Sequence, residues 1–343
     1  MNRVSAVITG LLIGFLARQL DAQSGGGSFR IGMIGLDTSH VTTFTKLIND
    51  SSKEHGCKVV AGYPGGSPDL PASAQRVGKF TDQLRKEFGV EIVDNIEELC
   101  RKVDGVLLES VDGRCHLAQA RPVIKAGRPM FIDKPMAANL ADVIEIFTLA
   151  KESNVPCWSS SSLRFCPGVA GMKDSTEIGE VLGCDAFSPC SLEEHHPDLY
   201  WYGVHGVEAL FTIMGPGCES VRRVATKDCD LVVGVWKGER IGTYRGLRAG
   251  KEDYGALVYG TKKIALSGQY SGYEDLVKQI VNFFKTGKAP VLPEETIEIF
   301  AFMSAADESK AHNGAAVSLA SVIERAKAEN ERRGGGRGSS APP

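Results

Sequence analysis

Two side chains of this sequence could carry out proton transfer at an alcohol, Lys134 and His205. Removing a hydride from a carbinol carbon requires a base for the hydroxyl proton and a nearby cation for the developing alkoxide. Imidazole titrates near neutral pH, so His205 is the candidate base. Lys134 follows an apolar run and precedes Pro135, which favours an extended approach to a turn. The pair predicts an alcohol oxidation, with a surface lysine and a structural histidine as the alternatives.

A turn typical of phosphate binding lies near the start of the chain, in residues 31–40 (IGMIGLDTSH). Gly32 and Gly35 have the spacing that lets backbone N–H groups and a helix N-terminus approach a pyrophosphate. Thr38 and Ser39 are favourable helix N-caps and carry hydroxyl donors. This turn predicts NAD or NADP as the cofactor.

Two expected features of such a site are altered. Asp37 would lie near the phosphates and repel them unless its carboxylate points away. The second strand of the fold usually ends near an acid that binds the ribose 2′-hydroxyl. Here that strand ends in residues 61–65 (AGYPG), which carry no charge. The sequence therefore does not distinguish NAD from NADP.

A group of imidazole and carboxylate side chains lies at residues 193–198 (EEHHPD). Such groups can ligate Zn²⁺ or Mn²⁺, but adjacent histidines seldom face one ion and no cysteine pair assists. We therefore expect no metal and interpret the segment as a polar loop over a substrate pocket. Trp201 and Tyr202 beyond it suit stacking on a sugar ring, with core packing as the alternative.

These residues must be positioned by the surrounding helices and strands. In residues 29–158 apolar runs alternate in the way that is typical of βαβ units and a parallel sheet. The predicted strands are 29–35, 58–62, 105–110, 129–133 and 156–160, and the predicted helices are 42–49, 76–88, 96–102, 116–126 and 140–152. The prediction is a Rossmann-like domain that presents Lys134 at the carboxyl edge of its sheet.

The second half of the chain has a different pattern, with a predicted helix at 204–214 followed by closely spaced strands. Short connections that contain glycine favour an open, mainly antiparallel sheet. The predicted strands are 221–225, 231–236, 241–247, 254–259 and 263–266, and the later helices are 273–286, 293–309 and 319–332. The predicted fold class is α/β, with a C-terminal α+β domain.

Several motifs, in the same order along the chain, resemble the Gfo/Idh/MocA oxidoreductase family. Residues 116–135 (HLAQARPVIKAGRPMFIDKP) carry Asp-Lys-Pro where that family has Glu-Lys-Pro. Three later segments also resemble motifs of that family: 163–168 (LRFCPG), 201–215 (WYGVHGVEALFTIMG) and 292–309. The resemblance implies an NAD(P)-dependent oxidoreductase that acts on a sugar or polyol.

The resemblance also implies roles for single residues, with Lys134 and His205 as the catalytic pair. The implied cofactor-binding residues are Gly32, Ile34, Gly35, Asp37, Thr38, Ser39, His40, Glu109, Ser110, His116, Asp133, Lys134 and Pro135. The implied substrate-binding residues are Arg164, His195, His196, Asp198, Trp201 and Tyr202. The family has an aspartate where this chain has Trp201. That difference leaves open a lyase, hydratase or glycosidase acting on oxidised sugars, or a sugar-binding protein without catalysis.

The composition of the 343-residue chain limits its partners and its number of domains. A formal net charge of -3 gives no electrostatic case for nucleic acid, so a small molecule is the expected ligand. The length accommodates two domains, and we expect a homo-oligomer built on the second sheet. The nine cysteines show no metal-ligand spacing and are expected to be mostly buried, free thiols.

The ends of the chain carry their own signals. Residues 1–22 have the charge and apolar pattern of a secretory signal, which predicts an exported, periplasmic protein with no further membrane contact; a retained anchor is the alternative. Residues 23–28 are typical of a linker, and residues 332–343 of a disordered tail. The predicted domains are 29–158 for the cofactor and 159–331 for substrate and oligomerisation. An exported enzyme would hold its cofactor tightly, since free dinucleotide is scarce outside the cytosol.

Overall fold

The computed structural model describes residues 28–50 and 56–335. The predicted leader and almost all of the predicted linker lie outside these residues. Among the described residues, no helix combines the length and apolarity needed to cross a membrane. The predicted disordered tail is wrong at its start, because the last helix extends to Gly335. Arg333 of that helix forms an ion pair with Asp142 at 2.7 Å, which anchors this end of the chain.

The first sheet is parallel and has six strands. They are β1 (Phe29–Ile34), β2 (Cys57–Tyr63), β3 (Glu91–Ile92), β4 (Gly105–Leu108), β5 (Met130–Ile132) and β6 (Cys157–Ser159). Their order is β3-β2-β1-β4-β5-β6, as in doubly wound dinucleotide-binding folds. The central strands are apolar and buried because helices cover both faces. The predicted parallel sheet is confirmed, and β3 was too short to give a strand signal.

Six helices connect these strands. They are α1 (Ser39–Ile48), α2 (Pro71–Ala74), α3 (Val77–Phe88), α4 (Ile96–Lys102), α5 (His116–Lys125) and α6 (Leu140–Glu152). The N-caps of α4 and α6 are Asn95 and Asn139, whose side chains accept backbone N–H groups of the first turn. Gly89 ends α3 in the left-handed conformation, with φ of 65°. The asparagine caps explain why α4 and α6 begin where they do, at the predicted first residues.

The second sheet has seven strands. They are β7 (Val181–Pro189), β8 (Cys218–Ala225), β9 (Cys229–Trp236), β10 (Ile241–Leu247), β11 (Gly255–Gly260), β12 (Ile264–Leu266) and β13 (Val317–Ser318). Their order is β12-β11-β7-β10-β9-β8-β13, and only β7 and β10 pair in parallel. The mainly antiparallel sheet is confirmed. Strand β7 was not predicted because Gly183, Asp185 and Ser188 interrupt its β-forming residues.

Helices cover one face of the second sheet, and the other face is open. The remaining helices are α7 (Pro167–Ala170), α8 (Val204–Met214), α9 (Glu274–Thr286), α10 (Pro293–Ala311) and α11 (Leu319–Gly335). α8 and α10 pack against the sheet. On strands of the sheet, large apolar side chains are exposed at Leu182, Val224, Ile241, Ile264 and Leu266.

Helix α9 belongs to the second half of the sequence but packs on the first sheet. Its Leu276 and Ile280 are buried in one apolar cluster with Met33 of β1 and Phe44 of α1. The sequence boundary predicted between residues 158 and 159 therefore does not separate the two halves in space.

All nine cysteines lie within the described residues and all are free thiols. Seven are buried, and Cys115 and Cys229 are partly exposed. The expectation of buried, unpaired thiols is confirmed for most of them.

Candidate functional site

The candidate site is a cleft of about 370 Å³ at the carboxyl edge of the first sheet. Its first wall comes from the turn after β1 and the end of β5, with Ser39, His40 and Lys134. Its second wall comes from the C-terminal half of the chain, with Trp201, Tyr202, His205, Tyr254, Tyr270 and Tyr273. The cleft therefore brings together both predicted catalytic residues, which are far apart in sequence.

The turn after β1 requires glycine at residue 35. Gly35 has a φ of 82°, and a Cβ atom there would lie 2.1 Å from Oγ of Ser110. Its N–H donates to the carbonyl of Tyr63 at 3.0 Å, and the N–H of Leu36 donates to the carbonyl of Pro64 at 2.8 Å. Gly32 serves a different purpose, since a Cβ atom there would lie 2.9 Å from Cγ of Leu99. It permits packing inside the sheet.

Asp37 points away from the helix N-terminus. Its side chain is buried, and Oδ2 accepts a hydrogen bond from Oγ of Ser73 at 2.5 Å. Oδ1 accepts the N–H of Val111 at 3.0 Å. Burial raises the pKa of Asp37, while these hydrogen bonds oppose the change. The carboxylate thus links the turn after β1 to α2 and to the segment after β4, and leaves the start of α1, capped by Thr38, free of its charge.

Lys134 lies at the end of β5 and faces the second half of the chain. Its Nζ is 5.6 Å from the centre of the Tyr202 ring, within cation–π range. Removal from bulk water lowers the pKa of Lys134, and the nearby carboxyl groups of Asp133 and Glu109 oppose this. The peptide bond from Lys134 to Pro135 is cis. The ammonium therefore lies where a substrate oxygen in the cleft can contact it.

His205 occupies the first turn of α8. Its Nδ1 lies 2.7 Å from Oγ of Ser161, so a hydroxyl replaces the carboxylate partner that the family pattern has. Burial, followed by the charge of Lys134, holds the pKa of His205 well below its usual range. Trp201, at the position of the missing aspartate, packs instead on the ring of His196, with 5.0 Å between centres. Burial and the charge of Lys134 thus both favour the neutral form of the His205 imidazole.

A second histidine in the cleft, His40, does have a carboxylate partner. Its Nδ1 lies 2.5 Å from Oδ2 of Asp133, and its Nε2 lies 2.9 Å from the hydroxyl of Tyr273. Burial alone would raise the pKa of Asp133, but the charge and hydrogen bond of His40 hold it below the usual value. The sequence resemblance placed His40 and Asp133 at the cofactor, and nothing in the sequence indicated their contact.

Glu109 lies at the end of β4 and is fully buried. Among the residues that the structure describes, neither of its carboxyl oxygens has a hydrogen-bond partner. Burial, together with the nearby carboxylate of Asp133, raises the pKa of Glu109 well above its usual value. A buried carboxyl group without partners is rare in proteins and calls for an explanation.

Four tyrosines line the second wall of the cleft, and the sequence had indicated only Tyr202. The hydroxyl of Tyr254 donates to that of Tyr202 at 3.1 Å. Tyr270 follows, with its ring centre 5.7 Å from that of Tyr254 and 6.0 Å from that of Tyr273. Tyr254 lies in the connection before β11, and Tyr270 and Tyr273 lie in the connection before α9, so no local spacing relates them to Tyr202.

The structure does not support the predicted substrate contact of Arg164. Its Nε donates to Oε1 of Glu208 at 2.5 Å, and its Nη1 pairs with Oε1 of Glu295 at 2.7 Å. Ser160 also donates to the same oxygen of Glu208, at 2.8 Å. Arg164 is buried and joins α8 to α10, so its role is structural.

Three further predicted substrate contacts lie outside the cleft because other side chains engage them. Asp198 pairs with Arg223 at 2.7 Å and with Lys310 at 2.6 Å. The Nδ1 atoms of His195 and His196 lie 2.7 Å and 2.6 Å from the carboxylate oxygens of Glu193. Of the predicted substrate residues, Trp201 and Tyr202 line the cleft.

Three predicted cofactor residues have buried side chains beneath the cleft. Ile34 belongs to the core, and Oγ of Ser110 donates to the side chain of Gln119 at 2.8 Å. The ring nitrogens of His116 lie 2.8 Å and 3.1 Å from the carbonyls of Ser110 and Met136. These side chains support the turn and do not contact the cleft.

The turn and the cleft fit a nicotinamide dinucleotide. Gly35 lets the chain turn tightly against Ser110 before α1, and the carboxylate of Asp37 is engaged by Ser73 and Val111, away from the start of α1. Arg76 and Lys134 place two cations on the cleft wall. The end of β2 has no acidic side chain to bind the ribose 2′-hydroxyl, since Tyr63 is followed by Pro64 and Gly65. The residues of this site therefore suit the phosphate groups of a dinucleotide better than its adenosine ribose.

Comparisons with known proteins agree with this arrangement. Residues 29–161 match the profile of the Gfo/Idh/MocA family, described as an oxidoreductase family with an NAD-binding Rossmann fold. An uncharacterised oxidoreductase of Streptococcus pneumoniae is 28% identical over 160 residues. That match covers 41% of this chain and 42% of the relative, so the matched part is less than half of that protein.

Solved structures are similar over nearly the whole described chain. A probable dehydrogenase from Thermotoga maritima superposes with a TM-score of 0.71 at 19% identity, covering 86% of this chain and 100% of that one. The scyllo-inositol dehydrogenase of Lactobacillus casei, solved with NAD(H) and scyllo-inositol, has a TM-score of 0.71 at 13% identity, covering 85% and 99%. At these identities the likeness shows the fold.

The fold is of the Rossmann type, with a first domain that matches an NAD-binding oxidoreductase model and an α+β second domain. More narrowly, residues 29–161 match the model of the Gfo/Idh/MocA family, the family that the motifs around Lys134 resemble.

Proposed function

We propose that this protein is an NAD(P)-dependent oxidoreductase that oxidises a hydroxyl group of a sugar or polyol. The observation that carries the proposal is the presence of Lys134 and His205 in one cleft, beside the turn at Gly35. Inositol dehydrogenases are among the proteins with this fold. Their substrates are polyols of a size that a cleft of about 370 Å³ accommodates.

The cofactor, when bound, supplies the hydride acceptor. The N-terminus of α1, with Thr38 and Ser39, would hold its phosphates, and Lys134 would lie near its nicotinamide end. A substrate hydroxyl would give its proton to Nε2 of His205, while Nδ1–H donates to Oγ of Ser161. Lys134 would stabilise the negative charge on the same oxygen. Because Lys134 disfavours an imidazolium nearby, the proton would leave His205 for solvent soon after transfer.

The tyrosines of the second wall are suited to a polyhydroxylated ring. Tyr202, Tyr254, Tyr270 and Tyr273 present apolar faces and hydroxyl groups to the same space. Such side chains pack on the C–H face of a sugar and donate hydrogen bonds to its hydroxyls. This arrangement supports a sugar or polyol over an aliphatic alcohol.

A non-redox reaction on the same fold is the second candidate. Two observations favour it: β2 ends without an acid, and His205 has the hydroxyl of Ser161 as its partner and not a carboxylate. A lyase, hydratase or glycosidase acting on oxidised sugars needs base chemistry beside a carbonyl, which His205 and Lys134 supply without net oxidation.

The test begins with the chain from Gln23 onward, purified and denatured, and with mass spectrometry of any dinucleotide released. About one equivalent per chain is expected, since we propose that the cofactor is tightly held. If nothing is released and added NAD(H) or NADP(H) does not bind, the redox proposal fails and elimination substrates should be tried.

Turnover of inositols and sugars then tests the two catalytic residues. Lys134→Met and His205→Gln should each lower kcat about 100-fold or more, and His205→Gln should leave dinucleotide release unchanged. The control is His195→Gln, since His195 lies outside the cleft and pairs with Glu193. Loss of turnover in that control, or full activity in His205→Gln, would contradict the assignment.

A further inference from the structure

Three metal-ligating side chains meet beneath the cleft, at the ends of three neighbouring strands. They are His40 in the first turn of α1, Glu109 after β4 and Asp133 after β5. One ligand atom of each lies within 4.8 Å of the others. Because strands β1, β4 and β5 are adjacent, the fold itself brings these groups together.

Glu109 is the member that the protein leaves without a partner. Its side chain is fully buried, and within the described residues neither carboxyl oxygen accepts or donates a hydrogen bond. Leaving such a group without a partner costs folding free energy. Its position beside the carboxyl group of Asp133 adds repulsion whenever both are ionised. A cation between the two groups would remove both costs.

The cluster at Glu193 provides the contrast. Glu193, Glu194 and His195 are also close enough to hold an ion. However, the oxygens of Glu193 already contact the Nδ1 atoms of His195 and His196, at 2.7 Å and 2.6 Å. This second cluster is satisfied by its own hydrogen bonds, and Glu194 is exposed to water. It has no unpartnered buried group that points to a ligand.

We infer that His40, Glu109 and Asp133 form a binding site for one first-row divalent metal ion, Mn²⁺ or Zn²⁺. One imidazole and two carboxylates are a donor set that suits these ions, and the ion would still have positions open for water or substrate. Donors on one tetrahedral ion with bonds of about 2.1 Å are about 3.4 Å apart. Binding would therefore lengthen the contact between His40 and Asp133 and draw Glu109 closer.

The charges around the cluster are compatible with a cation. Lys134 supplies one positive charge nearby, against the two carboxyl groups of Glu109 and Asp133. Arg76 is exposed to solvent on the cleft wall, where water screens its charge. The hydroxyl of Tyr273 on Nε2 of His40 is the outer-shell contact that orients a ligating imidazole through Nδ1.

The open side of the ion would face the cleft. His40 is the member of the cluster that lines the cleft wall, together with Lys134 and Tyr273. A metal ion there would act as a Lewis acid on a substrate oxygen. The proposed binding does not depend on oxidation being the reaction.

The test is a titration of the chelator-treated protein with MnCl₂, followed by the EPR signal of free Mn²⁺. Mn²⁺ is the better first probe because nine free thiols would compete for Zn²⁺. One equivalent is expected to bind to the wild-type chain. Glu109→Gln should weaken binding by more than about 10-fold, and the control Glu193→Gln should leave it unchanged.

Folding of the variants is checked by thermal melting without metal. Glu109→Gln is expected to fold, since the amide has the shape of the carboxyl group that it replaces, and added Mn²⁺ should raise the melting temperature of the wild type alone. His40→Gln provides a second test with the same expected loss. The inference is overturned if the wild type takes up no Mn²⁺, or if Glu109→Gln binds as tightly as the wild type. The assay contains no dinucleotide, so its failure is distinguishable from failure of the redox proposal.

Discussion

The turn after β1 depends on the absence of a side chain at residue 35. Gly35→Ala would place Cβ 2.4 Å from backbone atoms of Ser110, at a φ of 82°. We expect the free energy of unfolding to fall by about 2 kcal/mol or more, measured by urea denaturation. The control is Gly78→Ala in α3, where no atom lies within 4 Å of the added Cβ and stability should be equal or higher. Equal effects at both positions would contradict this explanation.

His205 gives stability a dependence on pH. Burial first, then Lys134 and His40, hold its pKa in the folded protein well below the unfolded value of about 6.5. The folded state then binds fewer protons than the unfolded state, so stability is complete above pH ~6.5 and falls as the pH drops below it. Melting temperatures between pH 7.5 and 5 (about 0.5 unit apart) should fall less steeply in His205→Gln than in the wild type. If the melting temperatures of the wild type and of His205→Gln fall equally with pH, His205 does not cause the pH dependence.

Lys134 and His205 could be predicted from the sequence because each lies in a short motif of neighbouring residues. The partners of a side chain are not local. Arg164 and Asp198 look like substrate contacts until Glu208 and Arg223 are seen beside them. Tyr254 and Tyr270 join the cleft only through the packing of loops that the sequence does not relate.

The segment before α7 is held to α8 and α10 by a buried ion pair. Arg164→Met would leave the carboxylates of Glu208 and Glu295 without their cation. We expect a loss of about 3–5 kcal/mol in unfolding free energy, measured without substrate. In the control Arg30→Met, the lost pair with Asp104 is on the surface, and the loss should be below about 1 kcal/mol. If Arg164→Met leaves stability unchanged but raises KM, Arg164 contacts the substrate and the structural explanation is wrong.

The bounds of helices that begin with a clear capping residue were predicted accurately. α4 and α6 begin at asparagine caps, and their predicted bounds agree with the structure. Strand β7 was missed because its pairing with β10 and β11 compensates for residues of low strand propensity. Tertiary pairing of this kind leaves no periodic signal in a single sequence.

The open face of the second sheet supports our proposal of a homo-oligomer. Val224 and Ile241 are 67% and 54% exposed on this face. Val224→Asp combined with Ile241→Asp should halve the mass measured by light scattering if the face joins two copies. Leu192→Asp is the control, because Leu192 is 50% exposed but lies outside the sheet. A wild-type chain that is already monomeric would exclude this interface.

Export remains a proposal about the whole molecule. Cell fractionation and N-terminal sequencing would test it, and a mature chain that begins at Gln23 is the expected result. A cytosolic chain that retains Met1 would contradict both export and our reason for a tightly held cofactor.

The return of α9 to the first sheet limits how this protein can be divided or recombined. Leu276 and Ile280 of α9 share one buried apolar cluster with Met33 and Phe44, so a fragment that ends at residue 158 would lose part of that cluster. The NAD-binding half is therefore not a module that can be transplanted alone. A chimera with a relative would need to exchange α9 together with residues 29–158, including Tyr273, which contacts His40.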